Sequence, residues 1–109
     1  MIECVGTGLG LIDVDGEQRG VEFGCTSISS PGMGHYMPGV EDLGEMFSDA
    51  NPEVEYHDPH GHGFTLVTLT KAGVRGDFVK VSTILEKDYT AETSVRYATR
   101  AEGSGMTRL

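Results

Sequence analysis

The stretch Phe64–Leu85, FTLVTLTKAGVRGDFVKVSTIL, decides the fold. Its first part, Phe64–Thr70, is built from threonine, leucine, valine and phenylalanine without charge or proline, the composition of a strand. Phe64, Leu66 or Val67, and Leu69 are its candidates for burial. Lys71–Gly76 brings two glycines and two cations and reads as a turn. Asp77–Leu85 then alternates again, with Phe78 and Lys80 opposing Val79, Val81 and Thr83. Two runs of period two on either side of a short turn predict a sheet rather than a helical bundle.

Upstream, Glu53–His57 reads as another strand, with Val54 and Tyr56 on one side, and Asp58-Pro59-His60-Gly61 as the turn after it. Before it, Val40, Leu43, Met46 and Phe47 recur at helical spacing, so a helix is expected over Val40–Ala50. Glu41, Asp42 and Glu45 suit its early turns, and Asn51-Pro52 stops it. The segment Ser29–Gly39, SSPGMGHYMPG, carries too many glycines and prolines for a regular element. Near the N-terminus, Leu9–Val14 and Gly20–Ile28 read as two strands of a hairpin across Asp15-Gly16, a dipeptide suited to positive φ. Downstream, Thr93–Thr99 is a last extended stretch, and Glu102–Leu109 reads as a frayed end. The expected fold is strand-dominated α+β: a hairpin, one short helix and three later strands. The expected core is Phe23, Phe64, Leu66, Val79, Val81 and Ile84.

Composition narrows the function classes. At 109 residues one domain is expected, with a modest core. The net charge of −9 opposes a nucleic-acid surface, because each phosphate would meet its own sign. No run approaches the roughly 18 apolar residues of a membrane span, so none is expected. Met1–Gly10 has no basic start and carries Glu3, so it does not read as a signal peptide. Cys4 and Cys25, 21 residues apart, fit no metal motif; one disulfide and two free thiols are both open.

Three clusters carry chemical suggestions. His57, His60 and His62 lie in YHDPHGHG, where imidazoles on a turn can converge on a divalent ion with Asp58 as an oxygen donor. The alternative is a polar turn with no ligand, since no fourth donor is evident. Thr26–Gly32 offers hydroxyls and backbone N–H groups at a strand end, which can cradle an anion or simply cap a loop. No phosphate-loop lysine is available, as the first lysine is Lys71. Arg75-Gly76-Asp77 spells an adhesion-type tripeptide, read here as part of a turn. No complete catalytic set is visible, and no catalytic residue is assigned.

The segment Gly20–Gly32, GVEFGCTSISSPG, resembles a stretch in the C-terminal half of PhoD-like (alkaline phosphatase D) metallophosphatases. Later segments are similar in the same order: Asn51–Tyr56 resembles that family's NPHIKY segment, Gly61–Phe64 its step into a strand, Leu66–Thr70 and Asp77–Val81 its two later strands, and Ser94–Gly103 its ending. The resemblance covers 20–109, with 1–19 as a separate N-terminal strand and turn region. It implies a phosphoric ester hydrolase, active on phosphomonoesters or phosphodiesters, whose metals polarise the phosphoryl group and generate hydroxide. The implied fold is a two-sheet α/β sandwich with metals (Ca, Fe or Zn) at strand ends, in a periplasmic or secreted protein. The implied partners are the N-terminal metallophosphatase region and a small phosphoester substrate. Ser27, Ser29, His35 and Tyr36 would border the substrate cleft, and His62 falls where the family varies between Arg and His. The family's ligand boxes, including G-D-x-x-D and G-D-x-H, do not occur in these 109 residues. The chain alone is therefore expected to be inactive, with a small β-rich binding module or a sheet-completing piece as the alternatives.

Overall fold

The computed structural model describes residues 7–101 and 106–109. Among them, nine elements succeed one another along the chain. They are β1 (Thr7–Val14), β2 (Glu17–Gly24), α1 (Met33–Tyr36), α2 (Leu43–Ala50), β3 (Val54–Asp58), β4 (Gly63–Thr70), β5 (Gly73–Val81), β6 (Ala91–Arg100) and β7 (Met106–Arg108). Strands dominate, as the two-residue periodicity predicts. They form two antiparallel sheets, a three-stranded one in the order β2-β1-β3 and a four-stranded meander in the order β4-β5-β6-β7.

The first hairpin turns where the sequence expects it. Asp15 and Gly16 take φ of 54° and 80°, the left-handed pair that matches the twist of flanking strands. Strand β2 stops at Gly24 rather than running on to Ile28, and it begins at Glu17, inside the N-terminal region read as separate. Helix α2 starts at Leu43, three residues later than its apolar stripe predicts. Its C-terminus is closed by Asn51, whose side-chain amide donates to the Phe47 carbonyl at 2.7 Å.

Four expectations are corrected. The glycine- and proline-rich Ser29–Gly39 segment does contain one helical turn, α1. The turn between β4 and β5 is tight, at Lys71-Ala72, so Arg75-Gly76-Asp77 lies inside β5 and not in a turn. Within the C-terminal stretch read as frayed, Met106–Arg108 pairs with β6 as a seventh strand, while 102–105 lie outside the described residues. The largest correction concerns the core. Phe78, Val95 and Tyr97 are buried, with Phe23, Tyr56 and Met106 packed against them. Of the six residues expected there, only Phe23 joins this cluster. Phe64 and Leu66 are 46% and 52% exposed, Ile84 is exposed, and Val79 and Val81 are half-buried.

The reason is the face on which β5 packs. Gly76 and Phe78 point towards the first sheet, and Val79 and Val81 point away. A Cβ on Gly76 would collide with the Phe23 ring, so the missing side chain is what lets β2 approach β5. The contact between sheets is therefore aromatic: Phe78 lies 6.1 Å from Phe23, 5.6 Å from Tyr56 and 6.4 Å from Tyr97 between ring centroids. Tilted and edge-on rings at these separations contribute beyond their buried area.

Candidate functional site

The strands deliver two loops to one end of the molecule. Strands β2 and β3 finish there, and β4 begins there. The Cys25–Gly32 loop leaves β2, and the Pro59–His62 turn joins β3 to β4. His62 Nδ1 sits 3.1 Å from the Ser27 carbonyl oxygen, which ties the loops together across 35 residues of chain. The Gly34 amide donates to the Pro59 carbonyl at 3.1 Å, fastening α1 to the same turn. The Val81 amide donates to the His62 carbonyl at 2.9 Å, fastening the turn to β5.

Asp58 organises this junction. Its Oδ1 accepts the His60 and Gly61 amides, each at 3.0 Å, forming a side-chain-closed turn. Its Oδ2 is ion-paired with Lys80 of β5, so one carboxylate joins the two sheets. Burial pushes the Asp58 carboxyl up, but Lys80 and the two amides outweigh it and hold the group below the usual carboxylate value. For Lys80, burial favours the neutral amine, and Asp58 outweighs that and raises its value.

His57 is buried on the face of β3 that α2 covers, opposite to Tyr56. Its ring stacks on Phe47 of α2 at 4.1 Å and 21°, and among the described residues neither ring nitrogen has a hydrogen-bond partner. Burial lowers its pKa, against a smaller raising effect of Asp58. The unfolded chain therefore binds this proton at a higher pH than the folded one. Stability contributed by neutral His57 is present above about pH 6.5 and falls as the pH drops below it. The melting temperature is expected to fall between pH 7 and pH 5, and to fall by clearly less in His57→Phe, which keeps the stacking on Phe47. Equal pH slopes in the two proteins would remove His57 from the acid response.

The three histidines of the turn point to different surroundings. His57 faces Phe47, His62 faces the Ser27 carbonyl, and His60 is exposed. Among the described residues, no group of three or more His, Cys, Asp or Glu is arranged to hold a metal ion. The described side chains thus do not fit a dimetal centre, and no metal step is drawn through them. Cys25 is exposed and makes no disulfide among the described residues, and Cys4 lies outside them.

The cleft candidates separate as well. Ser27 donates its hydroxyl to the Ser30 carbonyl at 2.6 Å, a loop-closing bond and not a bond to a base. Ser29 opens onto an apolar groove of about 290 Å³ with Ile28, Phe64, Ile84 and Tyr89. His35 and Tyr36 are exposed and pack edge to face at 5.2 Å. Lys80 is the functional-looking residue that motif reading misses. Its only signal in the sequence is that it shares Phe78's face of β5, where a charge needs a partner. No helix is long and apolar enough to cross a membrane, among the described residues. Comparison with protein-family models, curated proteins and solved structures finds no match.

Proposed function

We propose that this chain is the C-terminal part of a metal-dependent phosphoesterase of the PhoD-like type, supplying a wall of the substrate cleft and none of the metal ligands. The observation that carries this reading is the Ser27–His62 junction. Two of the segments that carry the family likeness, Gly20–Gly32 and Gly61–Phe64, meet at one end of both sheets through a 3.1 Å contact. Strand ends are where ligand loops of layered α/β folds gather.

Strand β4 supports the same reading. It lies at the edge of the four-stranded sheet, is eight residues long and carries no charge. Phe64, Leu66, Val67 and Leu69 are all substantially exposed on it. An uncharged edge with apolar side chains on both faces is suited to being continued or covered by further protein.

The test has two arms. The purified chain, incubated with p-nitrophenyl phosphate and bis(p-nitrophenyl) phosphate in Ca²⁺, Fe³⁺ or Zn²⁺, is expected to show no turnover. The coding DNA in frame before the Met1 codon is expected to carry G-D-x-x-D and G-D-x-H boxes. Turnover by the pure chain would overturn the view that the ligands lie elsewhere. An upstream frame without those boxes would overturn the phosphoesterase reading.

A further inference from the structure

The four-stranded sheet has an outer face, turned away from Phe78 and Tyr97. Register and strand alternation place Phe64, Leu66 and Thr68 of β4 on it, beside Arg75, Asp77 and Val79 of β5. Arg96, Ala98 and Arg100 of β6 and Thr107 of β7 complete it. Among the described residues, neither helix makes a substantial packing contact with this sheet, since α2 packs on β3.

This face is electrostatically unlike the rest of the chain. The protein carries −9 overall, with only five arginines, and three of them stand together here. Alternation puts one acid among them, Asp77, and it is already committed. Its carboxylate is buried between Arg96 Nε at 3.1 Å and Arg75 Nη2 at 3.3 Å. Both guanidinium side chains stay about half exposed, at 48% and 51%. Asp77 thus holds the Arg75 and Arg96 side chains on the sheet, and the strand positions of this face carry a net positive charge.

Two depressions lie on this face. One, of about 590 Å³, is bordered by Arg75, Arg100, Thr68, Thr70, Ala98 and Thr107. The other is the largely apolar groove around Phe64, Ile28, Ile84 and Tyr89, with Glu86 in its lining at the end away from the arginines' depression. Leu66 and Val79 bridge them. From Val79 to Gly73 along β5 is about 20 Å at the usual strand rise, the length of a helix of about fourteen residues.

We propose that the outer face of the β4-β5-β6-β7 sheet is a docking surface for an acidic amphipathic helix of a partner protein. Leucines or phenylalanines of the helix lie over Phe64, Leu66 and Val79. Its carboxylates meet Arg75, Arg96 and Arg100. A helix laid on an open sheet face is the common way such a face is covered, and the charge contrast selects an acidic occupant over a basic one. The inference does not depend on the phosphoesterase reading, because any partner with this chemistry satisfies it.

The probe is a synthetic helical peptide of about sixteen residues, with leucines along one stripe and glutamates on the flanks, labelled for fluorescence anisotropy. A second peptide replaces every glutamate with lysine and keeps the stripe. The full chain is expected to bind the acidic peptide at least tenfold more tightly than the basic one. Raising the salt from 50 to 500 mM should weaken that binding at least tenfold, as screening predicts. Arg75→Glu/Arg100→Glu should do the same, and Arg19→Glu, on the other sheet, should not. Equal binding of the two peptides, or acidic-peptide binding unmoved by the double charge reversal, would overturn the proposal. So would binding of anionic lipid vesicles or of single-stranded RNA in preference to the acidic peptide. If thermal melts show the charge-reversed chain unfolded, Arg75→Gln/Arg100→Gln and the salt series on the unaltered chain decide by the same thresholds.

Discussion

Phe78→Ala is expected to cost about 3–5 kcal/mol, the usual range for emptying a buried phenylalanine site. Phe78 is 1% exposed and touches aromatic rings from both sheets, Phe23 and Tyr56 on one side and Tyr97 on the other. The cavity cannot close by collapse of one sheet alone, because each neighbouring ring is held by its own strand. A chain of this size has roughly 5–15 kcal/mol of net stability in total, so the variant should melt more than about 10 °C lower. Val79→Ala provides the contrast. Val79 is half-buried on the outer face, and its truncation should cost about 1 kcal/mol, within the ordinary range for point changes. Urea titration measures both. A loss below about 1.5 kcal/mol for Phe78→Ala would mean that the contact between the sheets is not held by this ring.

Much of this architecture is legible from local chemistry. The Asp15-Gly16 turn, the helix stopped by Asn51-Pro52 and the strands around Val54, Leu66 and Val95 all follow from propensity and period. The side of each strand that faces inward does not follow as readily. FTLVTLT offers apolar residues at both parities, so its own pattern names no inner face, and at the sheet edge neither face is covered. In β5 the valines at 79 and 81 outnumber Phe78, yet packing follows the strand that brings a bare glycine, Gly76, opposite Phe23. That choice depends on a contact between residues more than fifty positions apart, which periodicity does not encode. The strand start at Gly73 is hidden by the same glycines, since Gly73 and Gly76 read as a loop when taken alone. The histidine cluster shows a related limit: spacing puts three imidazoles on one turn, but the fold sends each to a different neighbour. The Asp58 turn, by contrast, is visible in Asp58-Pro59-His60-Gly61, and only its partner Lys80 needs the structure.

That partnership gives the second large effect. Asp58→Ala should cost about 2–4 kcal/mol, because it strips the acceptor from the His60 and Gly61 amides and leaves Lys80 without its counter-ion. Asp58→Asn keeps one acceptor oxygen and loses the charge, so its stability should fall between those of Asp58→Ala and the unaltered chain. Lys80→Met should also destabilise, since it leaves a largely buried carboxylate that only two amides compensate. The double variant Asp58→Asn/Lys80→Met should then cost less than the sum of its parts, the mark of a coupled pair. Strictly additive costs would mean that Asp58 acts through the turn alone and does not join the sheets. The pH response separates this carboxylate from His57. Its pKa is lowered in the fold, so its contribution is present above its unfolded value near 3.8 and is lost as the pH falls through the lower folded one. Acid unfolding should therefore proceed in two stages, a shallow loss below about pH 6.5 that His57→Phe reduces and a steeper one below about pH 4 that Asp58→Asn reduces. Because the Asp58 turn carries His62, and His62 meets the Ser27 carbonyl, loss of the second stage should be accompanied by faster amide exchange at His60 and Gly61. Retained protection at those two amides in Asp58→Ala would show that the loop junction is held by the His62–Ser27 contact and the Val81–His62 hydrogen bond without the carboxylate.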